Sequence, residues 1–110
     1  MKDTAEVFIE DVDVYVFTQS QGEDVRELVA EALETADTYN PAGYVVRLLV
    51  ESFSDEVSTS ETGVSVDTRS YDPNRTVTLR LQDEFVEFDS ISRFERGRVY
   101  DIEEFIEEFA

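Results

Sequence analysis

Residues 64–90 read VSVDTRSYDPNRTVTLRLQDEFVEFDS, and the spacing of apolar side chains in this stretch decides the fold class. Val64 and Val66, then Val77, Leu79 and Leu81, then Val86 and Phe88 alternate with polar residues, the two-residue period of half-buried strands. Asp72-Pro73-Asn74-Arg75 separates the first two runs with a Pro that presets φ for a turn, and Asp83-Glu84 separates the last two. The pattern predicts a three-stranded antiparallel meander. A loop at Pro73-Asn74 sets Val66 opposite Leu81, Asp67 opposite Arg80 and Arg69 opposite Thr78. A two-residue turn at Asp83-Glu84 sets Leu81 opposite Val86, Arg80 opposite Glu87 and Leu79 opposite Phe88. Both registers send the apolar set to one face. Asp67, Arg80 and Glu87 then form a row on the other face, with Arg80 between two carboxylates.

Upstream, residues 7–18, VFIEDVDVYVFT, are β-branched and aromatic, but Val7 and Ile9 lie in one phase and Val12, Val14 and Val16 in the other. A bulge or short turn near Glu10-Asp11 reconciles the two phases. Ser20 and Glu23, at capping-box spacing, precede Val25, Leu28, Val29, Ala32, Leu33 and Ala36 at helical intervals, which predicts a helix over 21–39. The stretch 44–53 has two readings. It is a buried strand through YVVRLLV, or a helix with Asn40 at the N-cap, Pro41 in the first turn, and Arg47 and Glu51 one turn apart; the cap chemistry favours the helix. Residues 54–62, SDEVSTSET, read as a mobile polar loop.

At the other end of the chain Asp101 and Glu104 repeat the capping-box spacing, with Tyr100 and Phe105 placed as a staple. Ile102, Phe105, Ile106 and Phe109 make an apolar stripe on a short helix, opposite Glu103, Glu104, Glu107 and Glu108. A chain of 110 residues with 41% hydrophobic content supports one core. The expected architecture is a single α+β domain over 1–110, a three-stranded antiparallel meander plus an N-terminal strand, packed against one or two helices and a short C-terminal helix.

Charge is the strongest compositional signal. Nine basic against 27 acidic residues give a net charge of −18, enough self-repulsion to weaken a compact state in dilute buffer. Molar salt shortens the Debye length to about 3 Å and removes most of that cost. Lys2 is the sole Lys beside eight Arg. The composition as a whole resembles that of cytosolic proteins from salt-accumulating halophiles, and it implies adaptation to high salt. Six of the nine cations, Arg69, Arg75, Arg80, Arg93, Arg96 and Arg98, fall in residues 69–98, where they balance the local acids.

The chain contains no Cys and no His, which removes disulfides, thiolate and imidazole chemistry, and the metal sites built on those ligands. Asp11-Val12-Asp13, read on a strand, puts two carboxylates on one side, an arrangement able to hold Mg²⁺. The pair precedes the apolar run Val14–Phe17 instead of ending a strand, and D-x-D recurs by chance in so acidic a chain, so no metal and no cofactor is expected. No Gly-rich phosphate loop occurs, and no apolar run approaches a membrane span.

These features point to a small, non-enzymatic, cytoplasmic binding or regulatory protein that works through a protein partner or a homodimer, without a membrane. The expected contact is the apolar stripe Ile102, Phe105, Ile106 and Phe109, with Phe105 or Phe109 near its centre. The alternative is a nucleic-acid-associated regulator, in which Arg93, Arg96 and Arg98 meet phosphates and Phe94 and Tyr100 stack on bases. The order helix, three-stranded meander, helix resembles small RNA-binding domains in element order alone. Glu95 within that segment and the overall negative charge oppose nucleic acid.

Overall fold

The computed structural model describes residues 4–18, 24–36, 41–55, 65–70, 73, 75–90 and 95–110, and gives the backbone alone at 54, 55, 90, 95 and 96. One mixed sheet organises these residues. Its strands are β1 (Ala5–Ile9), β2 (Val14–Thr18), β3 (Ser65–Asp67), β4 (Arg75–Arg80), β5 (Phe85–Ser90) and β6 (Glu95–Asp101), in the order β3-β2-β1-β4-β5-β6. Three helices complete the α+β fold: α1 (Val25–Ala36), α2 (Ala42–Asp55) and α3 (Ile102–Phe109).

The two phases of residues 7–18 form a hairpin, with Val7 opposite Val16 and Ile9 opposite Val14. A single 3₁₀ turn over Glu10–Val12 connects its strands and ends at Asp13, which takes φ 55° and donates its N–H to the Glu10 carbonyl at 3.3 Å. The short turn expected near Glu10-Asp11 is therefore present. It also moves the Asp11-Val12-Asp13 motif off any strand, so the two carboxylates do not share a strand face.

The meander exists, but one strand further along the chain. The segment around Val66 does not pair with β4; it pairs with β2, Val66 opposite Val16 and Asp67 opposite Tyr15. In its place β1 runs parallel to β4, with Val7 opposite Val77 and Ile9 opposite Leu79. The physical reason is burial. Ala5, Val7 and Ile9 are fully buried and suit a central strand, whereas β3 has three residues and an exposed Val66, which suits an edge. The antiparallel meander is β4-β5-β6, and its third strand uses residues 95–101, beyond the stretch 64–90 in which the pattern placed all three strands.

The β4-β5 hairpin keeps the expected parity but slips by two residues, setting Leu79 opposite Val86, Val77 opposite Phe88 and Arg80 opposite Phe85. A two-residue turn of the favoured type needs positive φ at both central residues, which Asp83-Glu84 supplies poorly. The chain uses the four residues from Leu81 to Glu84 instead. Glu84 alone takes φ 59°, and its N–H donates to the Leu81 carbonyl at 3.2 Å. Leu81 turns into the core from within this loop. The Asp11 carboxylate fastens the loop, accepting the Leu81 N–H at 2.7 Å and the Gln82 N–H at 3.0 Å. Arg80 points away from the core as expected, but its partner is Glu10, with Nε to Oε2 at 2.9 Å.

Helix α1 lies within the predicted 21–39; the Ser20–Glu23 cap and residues 37–39 fall outside the described residues. Residues 44–53 belong to α2 and are helical, and Arg47 Nε meets Glu51 at 3.3 Å across one turn. Both partners are largely exposed, so the pair adds little stability. The expected polar loop starts later than 54, because Ser54 and Asp55 complete α2, and the remainder of 54–62 falls outside the described residues. Helix α3 begins with the Asp101–Glu104 capping box, Asp101 N–H reaching Glu104 Oε1 at 3.3 Å, and Ile102 N–H donates to the Glu84 carbonyl at 3.0 Å.

All three helices cover one face of the sheet, α2 beside β2 and α3 beside β5 and β6, with α1 packed between them. Leu28, Val29, Leu33, Leu49, Phe53 and Phe105 meet Val7, Ile9, Val77, Leu79 and Phe88 in a single core. No helix among the described residues is long and apolar enough to cross a membrane. Asp11→Ala removes two charge-assisted bonds from the β4-β5 loop and is expected to destabilise the fold by about 1–3 kcal/mol. Asp13→Gly, at a left-handed position, should not destabilise it. Thermal melts of the two variants in molar KCl check the contrast.

Candidate functional site

Strand alternation fixes what the sheet shows on its other side. The registers that send Val7, Val16, Val77, Leu79, Val86, Phe88 and Tyr100 toward the helices place Phe8, Tyr15, Phe17, Thr76, Thr78, Arg80, Phe85, Glu87 and Val99 on the opposite face. None of the described helices covers it.

Two regions of this face differ in character. Near the start of β1 it is closed over: Glu6 belongs to the open face yet is only 1% exposed, and Ser70, from the connection between β3 and β4, donates to Glu6 Oε1 at 2.8 Å. Pro73 in the same connection is buried. Further along, Phe8 and Tyr15 stack with ring centroids 4.4 Å apart, an aromatic cross-strand pair between β1 and β2. Toward β6 the face opens. Phe85 is 41% and Val99 56% exposed, unusual for large apolar residues on neighbouring strands. With Thr78, Arg80 and Glu87 they line a shallow depression of about 120 Å³.

Among the described residues, carboxylates outnumber the cation at the depression. The Glu10 carboxylate, hydrogen-bonded to Arg80, raises the guanidinium's pKa, helped by Glu87 and Asp83, so this cation is held in place by its own chain. Glu87 lines the depression, Asp101 stands opposite Phe85 in the ladder, and Asp83 and Glu84 are exposed in the adjoining loop.

The stripe expected to form a partner contact lies mostly inside the molecule. Ile102 and Phe105 are buried in the core, and Ile106 and Phe109 are half-buried against it. Phe109 also lies near Tyr100 and Phe105, at centroid distances of 5.8 and 4.9 Å. Arg26 of α1 sits over the rings of Phe88 and Phe109, its guanidinium carbon 4.5 and 5.0 Å from their centroids. The helix thus docks on its own sheet and on α1. A two-sided amphipathic pattern does not distinguish that outcome from docking on a second subunit.

Of the Arg and aromatic residues in 93–100, Arg93 and Phe94 fall outside the described residues, as does the side chain of Arg96. Arg98 is exposed and lies over Tyr100 at 5.4 Å. Tyr100 is only 7% exposed, with Phe105 set edge-on against it at 5.5 Å, so its ring is not presented to a base. Asp11 spends its carboxylate on backbone amides, and no group of three potential metal ligands gathers among the described residues.

The sequence did carry a signal for Phe85 and Val99. Each is an apolar residue in the outward phase of its strand, next to Val86 and Tyr100 in the inward phase. No family model matches this chain, and no curated protein or solved structure matches it. Because Phe85 and Val99 contribute little to the core, Phe85→Ser and Val99→Ser are expected to cost less than about 1 kcal/mol each. Phe88→Ala, at a fully buried site, should cost about 3–5 kcal/mol. Denaturant unfolding in molar KCl separates the two classes.

Proposed function

We propose that this chain is a small cytosolic binding protein adapted to high salt, acting by association with a protein partner or with itself and carrying no catalytic chemistry of its own. The observation that supports this reading is the sheet face that none of the described helices covers, where Phe85 and Val99 stand exposed on a diagonal across the β5-β6 ladder. Exposed apolar surface ringed by polar groups favours an interface, since association removes it from water at roughly 25 cal/mol per Å². The lack of His and Cys supports a binding role over acid–base or thiol catalysis. The net charge of −18 supports a high-salt setting, where screening leaves apolar contact as the main attraction.

Site-specific photocrosslinking tests the reading. A photoreactive phenylalanine analogue at position 99, in a cytosol of molar KCl, is expected to give a discrete adduct, with a partner or with a second copy. The same group at position 103, on the exposed side of α3, should give none. Equal labelling from both positions, or none from either, overturns the proposal. The solvent half is tested separately: the melting midpoint should rise from dilute buffer to about 2 M KCl, and an unchanged midpoint defeats it.

A further inference from the structure

We propose that the depression floored by Phe85 and Val99 receives an Arg- or Lys-bearing segment of a basic protein partner. The inference rests on the reading of the open face as a docking surface and names what docks there. The argument is charge complementarity on an apolar floor. Phe85 and Val99 offer an aromatic ring and a branched aliphatic side chain to whatever lies above them. Glu87 lines the depression with them, and Asp83 in the adjoining loop lies near enough to act on Arg80 of the lining. Among the described residues the cation of the lining is Arg80, paired with Glu10 at 2.9 Å, and the carboxylates of Glu10, Glu87 and Asp83 around it outnumber it.

A long cationic side chain answers both parts of this surface. Its methylene stem covers apolar area while its head stays at the polar rim, and a guanidinium or ammonium over the Phe85 ring gains from the ring quadrupole. Arg fits better than Lys, because its planar head can stack on the ring and bridge a carboxylate. Other occupants fit less well. A second copy brings another −18 and the same excess of carboxylates against this one. A nucleic acid brings phosphates against the same carboxylates. Short-range contacts of this kind survive salt better than long-range steering, since the apolar part strengthens with salt as the ionic part is screened.

The probe is a fluorescein-labelled decapeptide of alternating Arg and Val, titrated with the full chain and followed by anisotropy at about 0.5 and 2 M KCl. Saturable binding is expected. The double variant Phe85→Ser with Val99→Ser should weaken it about fivefold or more, and Glu87→Gln with Asp83→Asn about threefold. A charge-matched control on α3, Glu103→Gln with Glu107→Gln, should stay within about twofold of the wild type. Circular dichroism in the same salt confirms that each variant is folded. If peptide binding is absent, or if both acid-removing pairs weaken it equally, the proposal falls, because the attraction is then missing or diffuse. Sedimentation distinguishes the remaining case. A dimer that grows with salt, is lost on Val99→Ser and leaves the peptide unbound overturns the basic partner while upholding the open face as a docking surface.

Discussion

The parallel pairing of β1 with β4 is the junction on which the fold depends. On one side of it lie β2 and β3, and on the other the meander β4-β5-β6; both halves are antiparallel throughout. Without that junction the sheet separates into two three-stranded ribbons, each too small to bury a helix well. Two side chains in the turn after β1 secure the junction at its far end, Glu10 holding Arg80 and Asp11 holding the amides of Leu81 and Gln82. The same loop then offers the Glu84 carbonyl to the first amide of α3. A path of polar contacts therefore runs from the β1-β2 turn through the β4-β5 loop to the start of the last helix.

That path assigns acidic residues to particular tasks in a chain where acid is abundant. Asp11, Glu10, Asp89 and Glu104 each accept from a named donor, Asp89 taking the Gly97 amide at 2.6 Å where β6 bulges and Gly97 adopts φ 63°. Composition suggests a uniform coat of carboxylates; the fold distinguishes those that fasten backbone from those that only face water.

Much of the architecture was legible because it follows from local chemistry. The helical stripes, the Asp101–Glu104 cap and the inward phase of Val77, Leu79, Val86 and Phe88 all depend on residues close in sequence. What the pattern misplaced was non-local. Nothing near Val66 distinguishes β2 from β4 as its neighbour, since the inward residues of either strand match it in parity. The β4-β5 register was missed by two because the deciding group, the Asp11 carboxylate, lies 70 residues upstream of Leu81. The candidate face has a local signal too, since Phe85 and Val99 break the polar phase of their own strands, but the stripe on α3 is longer and apolar at every turn. That stripe is apolar because it meets Tyr100, Arg26 and the sheet.

The distance in sequence between β1 and β4 has a consequence for how the chain reaches its native state. Ala5 pairs with Arg75 and Ile9 with Leu79, so the central contact closes a loop whose entropic cost is about 4 kcal/mol before any strand hydrogen bond forms. At a translation rate of roughly 5–20 residues per second, the first hairpin waits for several seconds before its parallel neighbour emerges from the ribosome. During that interval the edge of β1 is a bare template for any other extended chain. Glu6, Glu10, Asp11 and Asp13 interrupt the apolar run of the first hairpin and its turn with charge, the gatekeeper placement that discourages pairing with another extended chain. Two of these gatekeepers, Glu10 and Asp11, take Arg80 and the Leu81 and Gln82 amides once β4 and its loop arrive, so residues that guard the unfinished sheet also close it.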